Sequence, residues 1–328
     1  MQKQYTVSSS PHLRDNASTR RVMQDVCIAL IPAGLASVWF FGLRAAILIA
    51  VSVLSAVFCE WFYCKHAKKP IPVGDFSAVV TGLLLAYNLP ASAPLWLAAI
   101  GSAIAIVLVK QFFGGIGQNF MNPALAARAI LLASWATLMT GWVAPQGGNW
   151  LAGLVPAATD AVSGATPLQA EAGAYSLWDL FIGNCPGTLG ETSALALLIG
   201  AAYLLFRRVI NWRIPATFIG TCLILFWIQT GTFYSAEAGA NSALYQLLSG
   251  GLMLGALFMA TDYSSSPVTP WGQIIFGVGC GALLFIIRTF NSSMPEGCSY
   301  AILFMNVAAP LIERVTTPKS FGEVKSHA

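Results

Sequence analysis

Long apolar stretches with few charges follow one another along most of this chain, and they dictate what it can become. They lie near 22–41, 43–63, 75–89, 95–113, 120–138, 190–208, 214–231, 243–261, 271–290 and 299–314. Crossing the hydrocarbon takes about 20 apolar residues in a helix, fewer where the helix is short or broken. In lipid every backbone N–H and C=O needs an internal partner, which a helix supplies within one segment. Only 9% of the 328 residues are charged, against about 25% in soluble domains. The expected fold class is an all-α polytopic membrane protein with about ten transmembrane helices.

The charges that remain are ordered. Arg20 and Arg21 precede the first stretch, and Lys65, Lys68 and Lys69 follow the second. Lys110 follows the fourth, Arg207, Arg208 and Arg213 the sixth, and Arg314, Lys319 and Lys325 the tenth. All fall on one side if ten helices cross. The stretch 139–188 has no Lys or Arg but carries Asp160, Glu171 and Asp179. The positive-inside rule then places both termini in the cytoplasm and Thr166 outside. Arg44 and Arg288 fall on the outer side, where they read as helix-end residues snorkelling to the interface. A net charge of +4 without an aromatic-basic stripe does not point to nucleic acid. No small-residue cleavage site follows the first stretch, so residues 1–21 are expected to remain as a cytoplasmic segment.

The two halves resemble each other. Phe120-Met121-Asn122-Pro123 through Arg128 is similar to Phe304-Met305-Asn306 through Arg314, and Gly82–Pro94 runs like Gly255–Pro270. Five helices per half is an odd number, so a duplication must be inverted across the membrane, as in many transporters and channels. The expected divisions are 1–21 cytoplasmic, 22–138 first repeat, 139–188 periplasmic loop, 189–314 second repeat and 315–328 cytoplasmic tail.

The seven cysteines include no CxxC and read as small buried hydrophobes. A Cys185–Cys298 bridge would require both on an oxidising side. The three histidines are scattered and make no metal site. The loop segment Asp160-Ala161-Val162-Ser163-Gly164-Ala165-Thr166 is expected to present one exposed hydroxyl on a slim backbone, where a modifying enzyme could grip it. Asn119 and Asn122 follow a glycine-rich turn, and Asn122 before Pro123 also reads as a helix cap. Ionisable groups within the apolar stretches are Glu60, Asp75, Arg128 and Asp262. Such groups are costly in lipid and default to a functional reading. Glu60 and Asp262 are the favoured ion-path residues, Asp75 and Arg128 are left open, and Asp25 is read as structural.

The segment Asp160–Thr166 resembles the D-x-x-S-G-A-T acceptor signature read by periplasmic flavin transferases. With Ser10-Pro11-His12, Ser18-Thr19-Arg20-Arg21, Gly114–Arg128 and Met259-Ala260-Thr261-Asp262, it makes nearly the whole chain similar to one family. That family holds the RnfD component of the Rnf electron-transport complex and the NqrB component of the sodium-pumping NADH:quinone reductase. The resemblance implies a urea-channel-like fold and FMN esterified through its phosphate to Thr166. It also implies a non-covalent riboflavin held by Asn119 and Asn122. The implied activity is electron relay across a bacterial inner membrane, coupled to Na+ or H+ translocation in a ferredoxin:NAD oxidoreductase complex. The implied partners are RnfA, RnfB, RnfC, RnfE and RnfG and a periplasmic flavin transferase. No nucleotide-binding or iron–sulfur signature is present, so the chain is not expected to be catalytic alone. The alternative from architecture is a channel or transporter for a small neutral solute.

Overall fold

A computed structural model describes residues 18–147, 166–168, 175–235, 242–291 and 296–318. Asp160 and the rest of the acceptor signature before Thr166 lie outside the described residues. Helix occupies all ten expected positions, and no strand occurs among the described residues beyond a single bridge between Pro90 and Thr188.

Five helices are long and apolar enough to cross a membrane: α1 (Thr19–Phe41), α2 (Leu43–His66), α9 (Arg213–Thr230), α12 (Pro270–Phe290) and α13 (Cys298–Thr316). Their outer faces carry large apolar side chains; Leu35, Leu54, Ile228 and Phe290 are all more than half exposed. A continuous apolar exterior of this kind is matched by lipid rather than by water.

The other helices are shorter. They are α3 (Ser77–Tyr87), α4 (Leu95–Ala103, continuing as a π-helix over Ile104–Gln111), α5 (Pro123–Ser134) and α8 (Ala194–Phe206). The eleven residues of α3 rise only about 16 Å at ~1.5 Å each, roughly half of a bilayer core. The stretch expected at 120–138 stops at Ser134 and resumes as α6 (Ala136–Met139). Before α8 lies the short α7 (Leu177–Ile182), opened by a Ser176/Asp179 capping box. The stretch expected at 243–261 comes in pieces: α10 (Ala243–Leu248), a break at Ser249–Gly251, α11 (Leu252–Leu254) and a π-helix over Gly255–Met259.

Small residues let the inner helices approach closely. Ser52 of α2 donates to the Gly82 carbonyl at 2.8 Å, and Ser102 of α4 donates to the Ser52 carbonyl at 2.8 Å. A Cβ on Gly82 would lie 2.8 Å from Val53 Cα. This is the close backbone packing that membrane interiors use in place of a hydrophobic drive.

The likeness between the halves is uneven. Both Gly82–Pro94 and Gly255–Pro270 run from helix through a break into the next helix. Asn122, however, caps α5, whereas Asn306 sits in mid-α13. With its amide turned so that the oxygen accepts, Asn306 receives Asn122 N–H at 3.1 Å, so the two matched asparagines meet.

Candidate functional site

Two polar regions occupy the interior. The first is a cavity of about 100 Å³ whose walls include Ser77, Thr81, Lys110, Asn119, Asn122 and Asp262. Asn122 Oδ1 accepts from Ala124 N and Leu125 N, which is the capping role, and its Nδ2 donates to the Met259 carbonyl at 3.2 Å. Asn119 Nδ2 donates to Ser264 Oγ at 2.8 Å, and Ser264 Oγ donates to Asp262 Oδ2 at 2.9 Å. Asn119 and Asp262 thus belong to one hydrogen-bonded group.

Glu60 joins this region through Lys110. Lys110 Nζ donates to Glu60 Oε1 at 2.7 Å and to Ser77 Oγ at 2.6 Å, and Gln111 Nε2 donates to the same carboxylate oxygen at 2.9 Å. Glu60 is fully buried and its Oε2 has no partner. Ser77 Oγ in turn donates to Asp75 Oδ1 at 2.5 Å. Lys110, expected as a loop charge that sets topology, instead lies buried in the π-helical end of α4 and belongs to this interior group. A π-turn widens the helix by one residue and swings a side chain off its expected face.

The second region surrounds Thr166. The expectation of an exposed hydroxyl fails: Thr166 is 2% exposed and its Oγ1 has no hydrogen-bond partner. Pro167 and Leu168 tie it down, since Tyr245 Oη donates to the Pro167 carbonyl at 3.1 Å and Leu168 packs at Gly250. Thr166 lines a cavity of about 10 Å³ with Cys185, Glu191, Thr192, Gly250 and Glu296. Backbone pairing sets Glu191 here: Leu189 N donates to the Leu89 carbonyl and Gly190 N to the Tyr87 carbonyl, both at 3.0 Å. Arg128 of α5 donates to Ser299 Oγ and to Glu296 Oε2, each at 2.6 Å.

Burial and the neighbouring Glu191 push the Glu296 carboxyl above the ordinary carboxylate range, against the pull of Arg128. Burial pushes the Cys185 thiol up to about 12. Cys185 and Cys298 are both free.

Arg44 and Arg288, expected to snorkel to the interface, instead bind backbone carbonyls of the protein. Arg44 donates to the carbonyls of Ala91, Ser92 and Ala93, holding the break after α3. Arg288 donates to the carbonyls of Gln246 and Ser249, holding the break after α10. Arg44 satisfies carbonyls of the connector between α3 and α4, and Arg288 satisfies carbonyls in the last turn and at the C-cap of α10, which the helix break leaves without intrahelical partners. Asp25 is structural as expected: it accepts from Tyr203 Oη at 2.8 Å and pairs with Arg207 at 3.2 Å, joining α1 to α8.

The structure therefore gathers Asn119, Asn122, Asp262 and, through Lys110, Glu60, and sets Thr166 apart with Glu191 and Glu296. Sequence reading missed Glu191 and Glu296 because each precedes an apolar helix and looks like an interfacial charge. The only sequence signal they offered was their nearness to glycines in connectors that otherwise carry few charges.

A helical bundle with an apolar exterior, broken helices and buried charge groups defines an integral membrane protein with a polar interior. Comparison with known proteins is specific. The NQR2, RnfD, RnfE family matches residues 6–322, and the chain belongs to that family. It is 50% identical over 327 residues, 98% of this chain and 96% of the relative, to the D-type subunit of the Na+-translocating ferredoxin:NAD+ oxidoreductase complex of Acetobacterium woodii. It is 41% identical over 331 residues, 97% and 96% of the two chains, to the proton-translocating counterpart of Clostridium ljungdahlii. The D-type subunit of the ion-translocating oxidoreductase complex of Stutzerimonas stutzeri is 39% identical over 332 residues, 93% of each chain.

Proposed function

We propose that this chain is the RnfD-type membrane subunit of an Rnf ferredoxin:NAD+ oxidoreductase complex. In this reading it carries FMN on Thr166, relays electrons across the bacterial inner membrane and couples them to Na+ or H+ movement. It sits in the bilayer as two inverted five-helix repeats of urea-channel-like architecture, with both termini cytoplasmic and the Thr166 loop periplasmic. It works with the other Rnf subunits after a periplasmic flavin transferase has modified it. The observation that carries the reading is near-full-length similarity to subunits of that name, joined to a Thr166 hydroxyl committed to no hydrogen bond.

The two flavins meet different surroundings. At Thr166 the linkage fits: the hydroxyl is unpaired, and the Arg128 and Arg288 guanidiniums lie close to Gly251 and Gly250 beside it. The ring does not fit the cavity of about 10 Å³, so it would lie outside it. Bound there, FMN would supply one-electron chemistry; the chain's part is to hold the phosphate near cationic groups and within reach of partner subunits. Riboflavin at Asn119 and Asn122 fits less well. The cavity of about 100 Å³ falls short of the ~300 Å³ of a pocket for a molecule of that size. Both polar ends of Asn122 are also engaged. The solute-channel reading stands second.

The test is in-gel fluorescence of the denatured chain, expressed with a periplasmic flavin transferase. Wild type is expected to fluoresce and Thr166→Ala to be dark at equal abundance. A fluorescent Thr166→Ala chain would move the attachment elsewhere.

A further inference from the structure

We propose that the C-terminal end of α2 binds the headgroup phosphate of an anionic phospholipid through Lys65, Lys68 and Lys69. The helix ends there in a turn closed by Lys69 N–H, which donates to the Cys64 carbonyl at 3.0 Å. Lys68 occupies the left-handed position of that turn, at φ 53°. Glycine is usual at this position, because a Cβ is unfavourable in left-handed backbone. A lysine there costs stability, and Lys68 makes no ion pair or side-chain hydrogen bond among the described residues. Its charge is therefore kept for something outside the fold.

The same device recurs at the end of α8. Val209 N–H donates to the Leu204 carbonyl at 2.9 Å, and Arg208 stands at φ 56° where glycine is usual. Both helix ends lie on one side of the bundle. Arg207 of the α8 end pairs with Asp25 near the start of α1, and Arg20 of α1 lies 5.6 Å from the Phe76 ring, which follows α2. Among the described residues only three non-glycine residues have positive φ, and two of them are these exposed basic ones.

The surface below the charges selects the ligand. Leu54, Phe58, Trp61, Phe62 and Lys65 are all exposed and follow one another at three- and four-residue spacing, so they form one stripe of α2. Phe58 lies 6.0 Å from both Trp61 and Phe62. Lys65 Nζ sits 4.6 Å from the Trp61 ring and Lys69 Nζ 5.4 Å from the Tyr63 ring, which gathers the cations at the aromatic level of the helix. The nearby carboxylates are engaged elsewhere: Asp75 accepts from Ser77, Glu60 pairs with Lys110 and Asp25 with Arg207. Three uncompensated lysines above an apolar stripe match a ligand with an anionic head and apolar chains. Free phosphate would use only the first of these features.

The test is native mass spectrometry of the full-length chain in detergent, titrated with phosphatidylglycerol or with phosphatidylcholine. All chains carry Arg208→Gly, which silences the like end of α8. The parent is expected to bind phosphatidylglycerol more tightly than phosphatidylcholine. Adding Lys68→Gly should weaken phosphatidylglycerol about fivefold, the usual worth of one lysine at an anionic membrane surface. Glycine is favoured at this backbone position, so the variant keeps the fold. Lys68→Gly with Lys69→Gln should weaken it about twenty-fivefold, and Lys68→Arg should bind as the parent does. Equal affinity of the parent for the two lipids would overturn the proposal. Unchanged affinity in the double lysine variant would also overturn it, leaving the lysines to an acidic protein partner. Displacement of the lipid by millimolar inorganic phosphate would make free phosphate the ligand and overturn it as well.

Discussion

Lys110→Met isolates the most deeply buried ion pair among the described residues. Lys110 Nζ lies 2.7 Å from Glu60 Oε1, with the two side chains 4% and 0% exposed. At an effective dielectric of about 20, that separation gives roughly 6 kcal/mol of attraction. Desolvation of both ions consumes much of this, so the pair adds little over an apolar pair of the same shape. Removing one partner is different. Lys110→Met leaves the Glu60 carboxylate with Gln111 Nε2 at 2.9 Å and an Oε2 that already lacks a partner. The expected loss is about 3–5 kcal/mol. The double variant Glu60→Gln, Lys110→Met should recover about 2–3 kcal/mol of it, the usual size of coupling between contacting residues. The assay is SDS-titrated unfolding of all four chains in mixed micelles, followed by tryptophan fluorescence. A Lys110→Met loss under about 1 kcal/mol, or strict additivity in the cycle, would refute the buried pair.

Three other outcomes are expected. Gly82→Ala drives a Cβ to 2.8 Å from Val53 Cα and 3.1 Å from Ser52 O; backbone cannot yield, so it should cost about 1–3 kcal/mol or more in the same titration. The Asp179 carboxyl is held below the ordinary aspartate range, first by the Ser176 hydroxyl. Its contribution to α7 is therefore complete above the unfolded pKa and fades as pH falls through the depressed folded value. Hydrogen exchange of the Leu177–Ile182 amides should quicken in that acid window and not in Asp179→Asn. Cys185, with its thiol pushed up to about 12 and 5% exposed, should resist alkylation at neutral pH until the chain unfolds.

The positions of the helices were legible in the sequence because apolar length alone determines them. What those helices do internally was not. Hydropathy reads Leu95–Gln111 as one stretch, and nothing in it signals the π-turn that carries Lys110 inward to Glu60. Arg44 and Arg288 have the same composition signal whether they reach for headgroups or for orphan carbonyls; only the helix breaks decide, and these are tertiary facts. The cap at Asn122 was legible because the Asn-Pro pair is a local signal, whereas its donation to Met259 spans the two halves. Thr166 was marked by its neighbours in sequence, yet its burial beside Glu191 and Glu296 depends on contacts far along the chain.

The central claim is that Thr166 bears the flavin. Tandem mass spectrometry of the peptide spanning 139–188, from a chain matured with an active flavin transferase, tests it most directly. The account predicts a fragment series in which Thr166 carries the mass of FMN less one water. An unmodified Thr166 in a peptide recovered in full would contradict it.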